Sequence, residues 1–90
     1  MSVQAELVAI GSELLLGQII DTNTAFIAKR LAEIGVEVVR TATVGDSLER
    51  MEGVLREAIR RSQIVITTGG IGPTEDDLTR EAFANVTGRP

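Results

Sequence analysis

The segment Ile64–Ala82, IVITTGGIGPTEDDLTREA, joins an apolar run to a helical pattern through a glycine-rich loop. The β-branched residues at its start are typical of a buried strand. Beyond the loop, the spacing of Leu78, Ala82 and Val86 predicts a helix that Gly88 can end. Such a strand–loop–helix unit is the building element of parallel α/β folds.

Two further units of the same kind precede this segment. Glu6–Gly11 is an almost continuous apolar run that predicts a buried strand, and Val36–Val44 is a more polar run that predicts a strand nearer the sheet edge. Helical patterns follow them over Asp21–Gly35 and Asp46–Gln63. The β-α-β-α-β-α order predicts a three-layer α/β/α fold with a mostly parallel sheet in the strand order 2-1-3. Because such a sheet is small for this class, we expect residues 1–90 to be the N-terminal portion of a larger domain.

Local patterns predict the helix ends and the positions of the aromatic residues. One of the polar residues at positions 21–24 is expected to cap the first helix, although Asn23 and Thr24 could instead face a ligand. Gly35 suits the position just after the C-cap of that helix. The two phenylalanines, Phe26 and Phe83, fall on apolar helix stripes, so both are predicted to lie in the core.

The composition of the 90 residues excludes several classes of function. Acidic residues outnumber basic ones 13 to 9, for a net charge of −4, which disfavours a nucleic-acid-binding face. The chain has neither Cys nor His, so we expect no zinc and no haem, and any metal would be a divalent cation of the Mg²⁺ type with oxygen ligands. No secretory signal or membrane-spanning run is present, which favours a cytoplasmic protein that does not bind membranes.

The glycine loop predicts a phosphate site. Gly69, Gly70 and Gly72 follow a strand and precede a helix, where free backbone N–H groups favour an anion. Thr74, in the first turn of that helix, is assigned with them to phosphate binding. The alternative is a plain strand-to-helix turn that Pro73 stiffens and Thr74 caps.

Acidic residues near this loop predict a metal. Asp76 and Asp77 would repel a phosphate at the same helix end unless a divalent cation bridged them. Asp46 ends the second strand and so lies at the same sheet edge, which makes Asp46, Asp76 and Asp77 the candidate catalytic residues and Asp46 and Asp77 candidate metal ligands. The alternative for Asp46 is an ordinary helix N-cap, a role that Ser47 could also take.

The loop after the first strand supplies further candidates. Gly11 and Ser12 are assigned to phosphate binding, and Glu13 to the metal, unless it is an ordinary solvated acid. The apolar run Leu14–Leu16 would form either a buried extra turn or a subunit interface, and we expect a homo-oligomer, a dimer or a trimer.

Three groups of residues together resemble a known family. They are GSELLLGQ at residues 11–18, DTN at residues 21–23 and GGIGPTEDDLT at residues 69–79. With these motifs, almost the whole chain closely resembles the N-terminal domain of the competence/damage-inducible CinA proteins. It resembles more loosely the molybdopterin-binding domains of molybdenum cofactor biosynthesis and gephyrin.

The resemblance implies a three-layer α/β domain with a pocket at the glycine loop. In the cofactor-synthesis relatives that pocket holds the phosphate of the pterin, and acids that match Asp46 and Asp77 are linked to metal, molybdate or adenylyl-transfer chemistry. In CinA-type proteins the domain is associated with divalent-metal-dependent hydrolysis of ADP-ribose. A separate C-terminal domain, when present, deamidates nicotinamide mononucleotide, which is not expected of residues 1–90.

The expected ligand is therefore a small phosphorylated molecule, and three functions stay open. The first is an ADP-ribose pyrophosphatase within pyridine nucleotide salvage. The second is a molybdopterin-binding or adenylyl-transferring domain. The third is a non-catalytic ligand-binding or oligomerisation module.

Overall fold

Parallel strands form the centre of the chain in the computed structural model, which describes residues 3–15, 17, 21–69 and 73–88, apart from the side chains of residues 13, 15 and 73–76. The strands are β1 (Val3–Ile10), β2 (Val36–Val44) and β3 (Ile64–Gly69). The helices are α1 (Ser12–Leu15), α2 (Thr22–Glu33), α3 (Leu48–Arg61) and α4 (Pro73–Thr87). The sheet order is β2-β1-β3, so the predicted α/β class and strand order 2-1-3 are confirmed.

The connections between the strands place helices on both faces of the sheet. The chain passes from β1 to β2 through α2, and then back across the sheet to β3 through α3. Because both crossovers are right-handed by rule, α2 lies on the face opposite to α3 and α4. Accordingly α2 contacts β2, whereas α3 and α4 pack against each other.

The pairing of β1 with β2 contains one irregularity. Ala5 lies opposite Val38 and Glu6 opposite Arg40, so the register shifts by one residue at Val39. An extra residue of this kind is a β-bulge, which locally changes the direction of the side chains that follow it. Beyond the shift, the two strands stay in register to their carboxyl ends.

The main core lies between the sheet and the pair of helices α3 and α4. Its buried members are Val8, Ile10, Val44, Met51, Leu55 and Ala82. Met51, Leu55 and Ala58 recur at helical spacing on α3, which turns one face of that helix inward. Phe83 of α4 packs against this cluster, as predicted.

The helix α2 is packed much less completely than α3. None of its residues is buried, and Phe26 is 63% exposed, so the prediction that Phe26 lies in the core is wrong. The reason is that α2 packs on β2, an outer strand of the described sheet. The surface opposite α2 is therefore too small to cover more than one side of the helix. Phe26 instead lies beneath the guanidinium of Arg30, whose Cζ is 5.7 Å from the ring centroid.

The helix ends follow the sequence signals with one exception. Asp21 caps α2, accepting a hydrogen bond from the Thr24 backbone N–H at 3.0 Å and another from the Thr24 hydroxyl. Gly35, with φ +85°, follows the C-cap of α2 as predicted. The exception is α4, which begins at Pro73, so Thr74 lies inside the helix and is not its cap. Proline suits a first helical position because its missing N–H would have no helical partner there.

The leucine run after β1 contains a short helix, α1, which the sequence left open as an extra turn. Leu14 is half-buried, and Leu16 is outside the described residues. Within the described ranges, no helix is long and apolar enough to cross a membrane.

Candidate functional site

The carboxyl ends of the three strands meet at one edge of the sheet. Ile10, Val44 and Gly69 are in register there, because Ile10 pairs with Val44 on one side and with Gly69 on the other. The Gly11 backbone N–H donates to the Val44 carbonyl at 2.8 Å, and both Gly11 and Gly45 are buried. The loops that carry the predicted site residues therefore leave the sheet side by side.

Gly69 holds the first of the glycine-loop positions for a steric reason. Its φ is +78°, in the left-handed region that favours glycine. A Cβ at this position would lie 2.2 Å from the carbonyl oxygen of Ile10, a backbone atom that has little freedom to move. Close packing against β1 thus accounts for Gly69, while Gly70 and Gly72 are outside the described residues.

Gly11 has a structural role at this edge. Its backbone has a single donor, and the bond to Val44 uses it. This contact ties β1 to β2 beyond the last residue of the strand, and the assignment of Gly11 to phosphate binding stays a prediction.

Ser12 and Asp46 form a direct link between two of the loops. The Ser12 hydroxyl donates to Oδ2 of Asp46 at 3.3 Å, in an exposed position. The helix cap is Ser47 instead of Asp46, because the Ser47 hydroxyl accepts the Arg50 backbone N–H at 3.3 Å. The alternative role of Asp46 as an N-cap is thus excluded, and its carboxylate is directed to the loop that follows β1.

The structure describes the other predicted site residues less completely than Ser12 and Asp46. Asp77 is an exposed residue of α4, and Thr74 and Asp76 lie in the same helix, with side chains outside the described set. Glu13 lies in α1, also without a described side chain. Within the part of the chain whose side chains are described, no three acidic residues converge as a metal site would require. The ligand set Asp46, Asp77 and Glu13 therefore stays a prediction.

A buried polar cluster around Glu6 was missed by the sequence analysis. Glu6 is 3% exposed, and Arg61 of α3 donates to both of its carboxylate oxygens, each at 2.9 Å. The Ser62 hydroxyl donates to the same carboxylate at 2.6 Å. The Arg61 guanidinium, aided by Ser62 and opposed by burial, lowers the pKa of Glu6. One signal of this cluster was available in the sequence. Glu6 is an acidic residue at the start of a run whose other residues are typical of a fully buried strand.

The comparisons with known proteins agree with this architecture. The family model described as "Probable molybdopterin binding domain" matches residues 6–90. A putative competence-damage inducible protein of Bacillus velezensis is 58% identical over 87 residues, which are 97% of this chain and 21% of that protein. The resemblance to the competence/damage-inducible family is thereby confirmed.

Two solved structures have the same fold. The CinA protein of Thermoplasma acidophilum, a protein of unknown function, aligns with a TM-score of 0.88 at 38% identity, over 97% of this chain and 52% of that one. The molybdopterin biosynthesis enzyme MoaB of Thermus thermophilus aligns with a TM-score of 0.79 at 25% identity, over 92% of this chain and 54% of that one.

This chain covers only part of the length of each of these matched proteins. The chain spans about a fifth of the length of the curated relative and about half of the two solved chains. The family model, in contrast, covers all but the first five residues. This chain therefore belongs to the probable molybdopterin-binding domain family.

Proposed function

We propose that the carboxyl edge of the sheet is part of a site that binds the pyrophosphate of ADP-ribose and, with a divalent cation, hydrolyses it. The observation that carries the proposal is the meeting of Ser12, Asp46 and Gly69 at this edge. The strand order reverses at β1, so the loops after β1 and β3 straddle the switch point, where ligands of open α/β sheets bind. The resemblance to CinA-type proteins supplies the substrate class.

The donor groups at this edge suit a cation of the Mg²⁺ type. Asp46 is exposed and shares only one of its carboxylate oxygens with Ser12, so the other oxygen is available to a ligand. Asp46 and Asp77 would hold the cation, with Glu13 as the further ligand, and all of these donors are oxygens. A bound divalent cation offsets the charge of a pyrophosphate and lowers the pKa of water.

The residues of this chain have separate tasks in the proposed reaction. The oxygen of a water molecule attacks one phosphorus, the bridging P–O bond breaks, and AMP and ribose 5-phosphate leave. Asp76, which is not assigned to the cation, accepts the proton of the attacking water. The Ser12 hydroxyl orients Asp46 by its hydrogen bond, and the backbone of the glycine loop donates N–H groups to the phosphate oxygens.

The decisive experiment is AMP release from ADP-ribose with Mg²⁺. The variants Asp46→Asn and Asp77→Asn should each lower kcat/KM by about 100-fold or more, the range lost with an acid–base or metal-binding group. Glu49→Gln, on α3 three residues after Asp46, and Glu81→Gln, on α4 with Asp77, are matched controls, because both are exposed acids. Equal activity in the Asp and control variants would refute the proposal.

A second candidate function is molybdopterin binding. The description of the matched family and the similarity to MoaB favour it. A fluorescence titration with molybdopterin separates the two candidates: saturable binding without AMP release from ADP-ribose would select the pterin. If the protein neither binds the pterin nor releases AMP, the third interpretation, a non-catalytic module, takes their place.

A further inference from the structure

A cavity lies away from the carboxyl edge, between the outer strand β2 and the helix α3. Its volume is about 350 Å³, and Ala42 of β2 and Val54 of α3 are among its apolar walls. This volume falls in the range of small-molecule sites, which combine apolar walls with a few polar groups. None of the residues assigned to the carboxyl-edge site lines the cavity.

Among the described charged side chains around this cavity, the guanidinium of Arg40 has no hydrogen-bonded partner. Glu6 is fully engaged by Arg61 and Ser62, and Glu57 is bonded to Arg60 at 2.6 Å. Arg40 also lines the cavity, and it forms no hydrogen bond or salt bridge with any described residue. It acts on Glu6 only through its charge, which helps to lower the pKa of that carboxyl.

The register shift at Val39 puts Arg40 in this position. After the shift, Arg40 stands directly beside Glu6 on the neighbouring strand, and residues paired across a parallel sheet share a face. Without the extra residue, Arg40 would lie on the opposite face of β2, because side chains alternate along a strand. Bulges commonly redirect a side chain in this way next to a binding site.

The roof of the cavity contains a glycine that packing does not require. Gly53 lies in the middle of α3, where glycine weakens a helix relative to alanine. A Cβ at this position would meet no atom within 4 Å, and the position has no left-handed φ. Gly53 is exposed, so a larger residue would fit there, and because Gly53 lines the cavity we expect such a side chain to narrow it.

We propose that this cavity is a second ligand site, which takes a small monocarboxylate with a short apolar chain. The carboxylate pairs with Arg40, and the apolar chain lies against Ala42 and Val54 under Gly53. The guanidinium of an arginine can pair with a carboxylate through two parallel hydrogen bonds. The carboxylates of Glu6 and Glu57, which also line the cavity, disfavour the second negative charge of a phosphate dianion. This site does not depend on the proposed hydrolysis.

The test is an NMR titration of the ¹⁵N-labelled protein with butyrate. We expect saturable shifts of the Thr41 and Gly53 amide signals, and at least tenfold weaker responses to the neutral analogue butyramide and to inorganic phosphate. An equal response to all three compounds, or no response to butyrate, would overturn the proposal.

Matched variants distinguish a ligand site from a structural role. Gly53→Leu should fold at least as stably as the wild type, because the helix improves and nothing obstructs the side chain, yet it should lose the butyrate response. Arg40→Gln should weaken the response at least tenfold, whereas Arg56→Gln, an exposed arginine of α3, should leave it unchanged. If the Gly53→Leu protein does not fold, Gly53→Ala is used in its place, and we expect it to lose a smaller part of the butyrate response. An unchanged butyrate response in folded Gly53 and Arg40 variants would disprove the site.

Discussion

The central strand β1 is associated with two polar clusters that differ in how completely their groups are satisfied. Within the strand, buried Glu6 accepts two bonds from Arg61 at 2.9 Å and one from Ser62 at 2.6 Å. Just beyond its end, half-buried Ser12 and exposed Asp46 share a single bond of 3.3 Å.

The difference between the two clusters separates stability from binding. A buried carboxylate must have its partners inside the protein, because water cannot reach it. An exposed carboxylate can keep part of its bonding capacity for a ligand. The Glu6 cluster therefore fixes α3 on the sheet, whereas the Ser12–Asp46 pair is suited to recognition, and variants can test each side of this contrast.

The largest effect is expected at the backbone that supports the carboxyl edge. Gly69→Ala should lower the free energy of unfolding by about 3 kcal/mol, because a left-handed residue would have to carry a Cβ against the Ile10 carbonyl. Urea unfolding followed by circular dichroism measures it. Gly53→Ala, at a glycine with open space around it, should instead stabilise the protein. Equal effects at the two glycines would contradict the steric role of Gly69.

The Glu6 cluster is expected to rank second. Glu6→Gln keeps the size of the side chain but removes its charge, and should cost about 2 kcal/mol, as for other hydrogen bonds to charged groups. Glu57→Gln is the control: its carboxylate also pairs with Arg61, at 3.6 Å, but is 54% exposed, so its loss should cost clearly less than the loss of Glu6. Similar costs for both substitutions would show that burial does not distinguish the Glu6 pair.

The pH dependence of stability should show the same contrast. Because the folded-state pKa of Glu6 lies below its usual value of 4.5, the charged carboxylate stabilises the fold above that pH. This contribution is lost as the pH falls through the lowered pKa. Urea midpoints measured from about pH 6 to about pH 3 should therefore decline less in Glu6→Gln than in the wild type. Identical slopes would exclude Glu6 as a source of acid sensitivity.

The smallest effect on stability is expected at the exposed pair. Ser12→Ala should lower the free energy of unfolding by less than about 1 kcal/mol, because water replaces the lost bond. If Ser12 orients Asp46 for the proposed hydrolysis, the same change should lower kcat/KM for ADP-ribose about tenfold, and Ser12→Thr should restore it. A large loss of stability without a loss of turnover would reverse the assignment of the two clusters.

The sequence predicted the fold well where local patterns and packing agree. The contrast between the apolar strands and the polar second strand predicted the order 2-1-3. Gly35 predicted the end of α2. Phe26 was misplaced because a helical stripe shows which side is apolar, but not how much surface lies opposite it. The start of α4 at Pro73 was missed because the apolar spacing begins only at Leu78.

The candidate site was predictable in its position more than in its contacts. Parallel strands require Ser12, Asp46 and Gly69 to share an edge, so sequence order alone brings them together. The bond between Ser12 and Asp46, and the choice of Ser47 as the cap, depend on side-chain directions that spacing does not specify. The pairing of Glu6 with Arg61 joins residues 55 positions apart, beyond the reach of any local pattern.

The extra residue at Val39 also affects how the molecule meets its neighbours. β2 is an outer strand of the described sheet, and a regular outer strand offers its free backbone groups as a template for another chain. The bulge interrupts that template, and the charges of Glu37 and Arg40 flank the interruption. The same residue that redirects one arginine therefore makes β2 a poorer template for the strand of another chain.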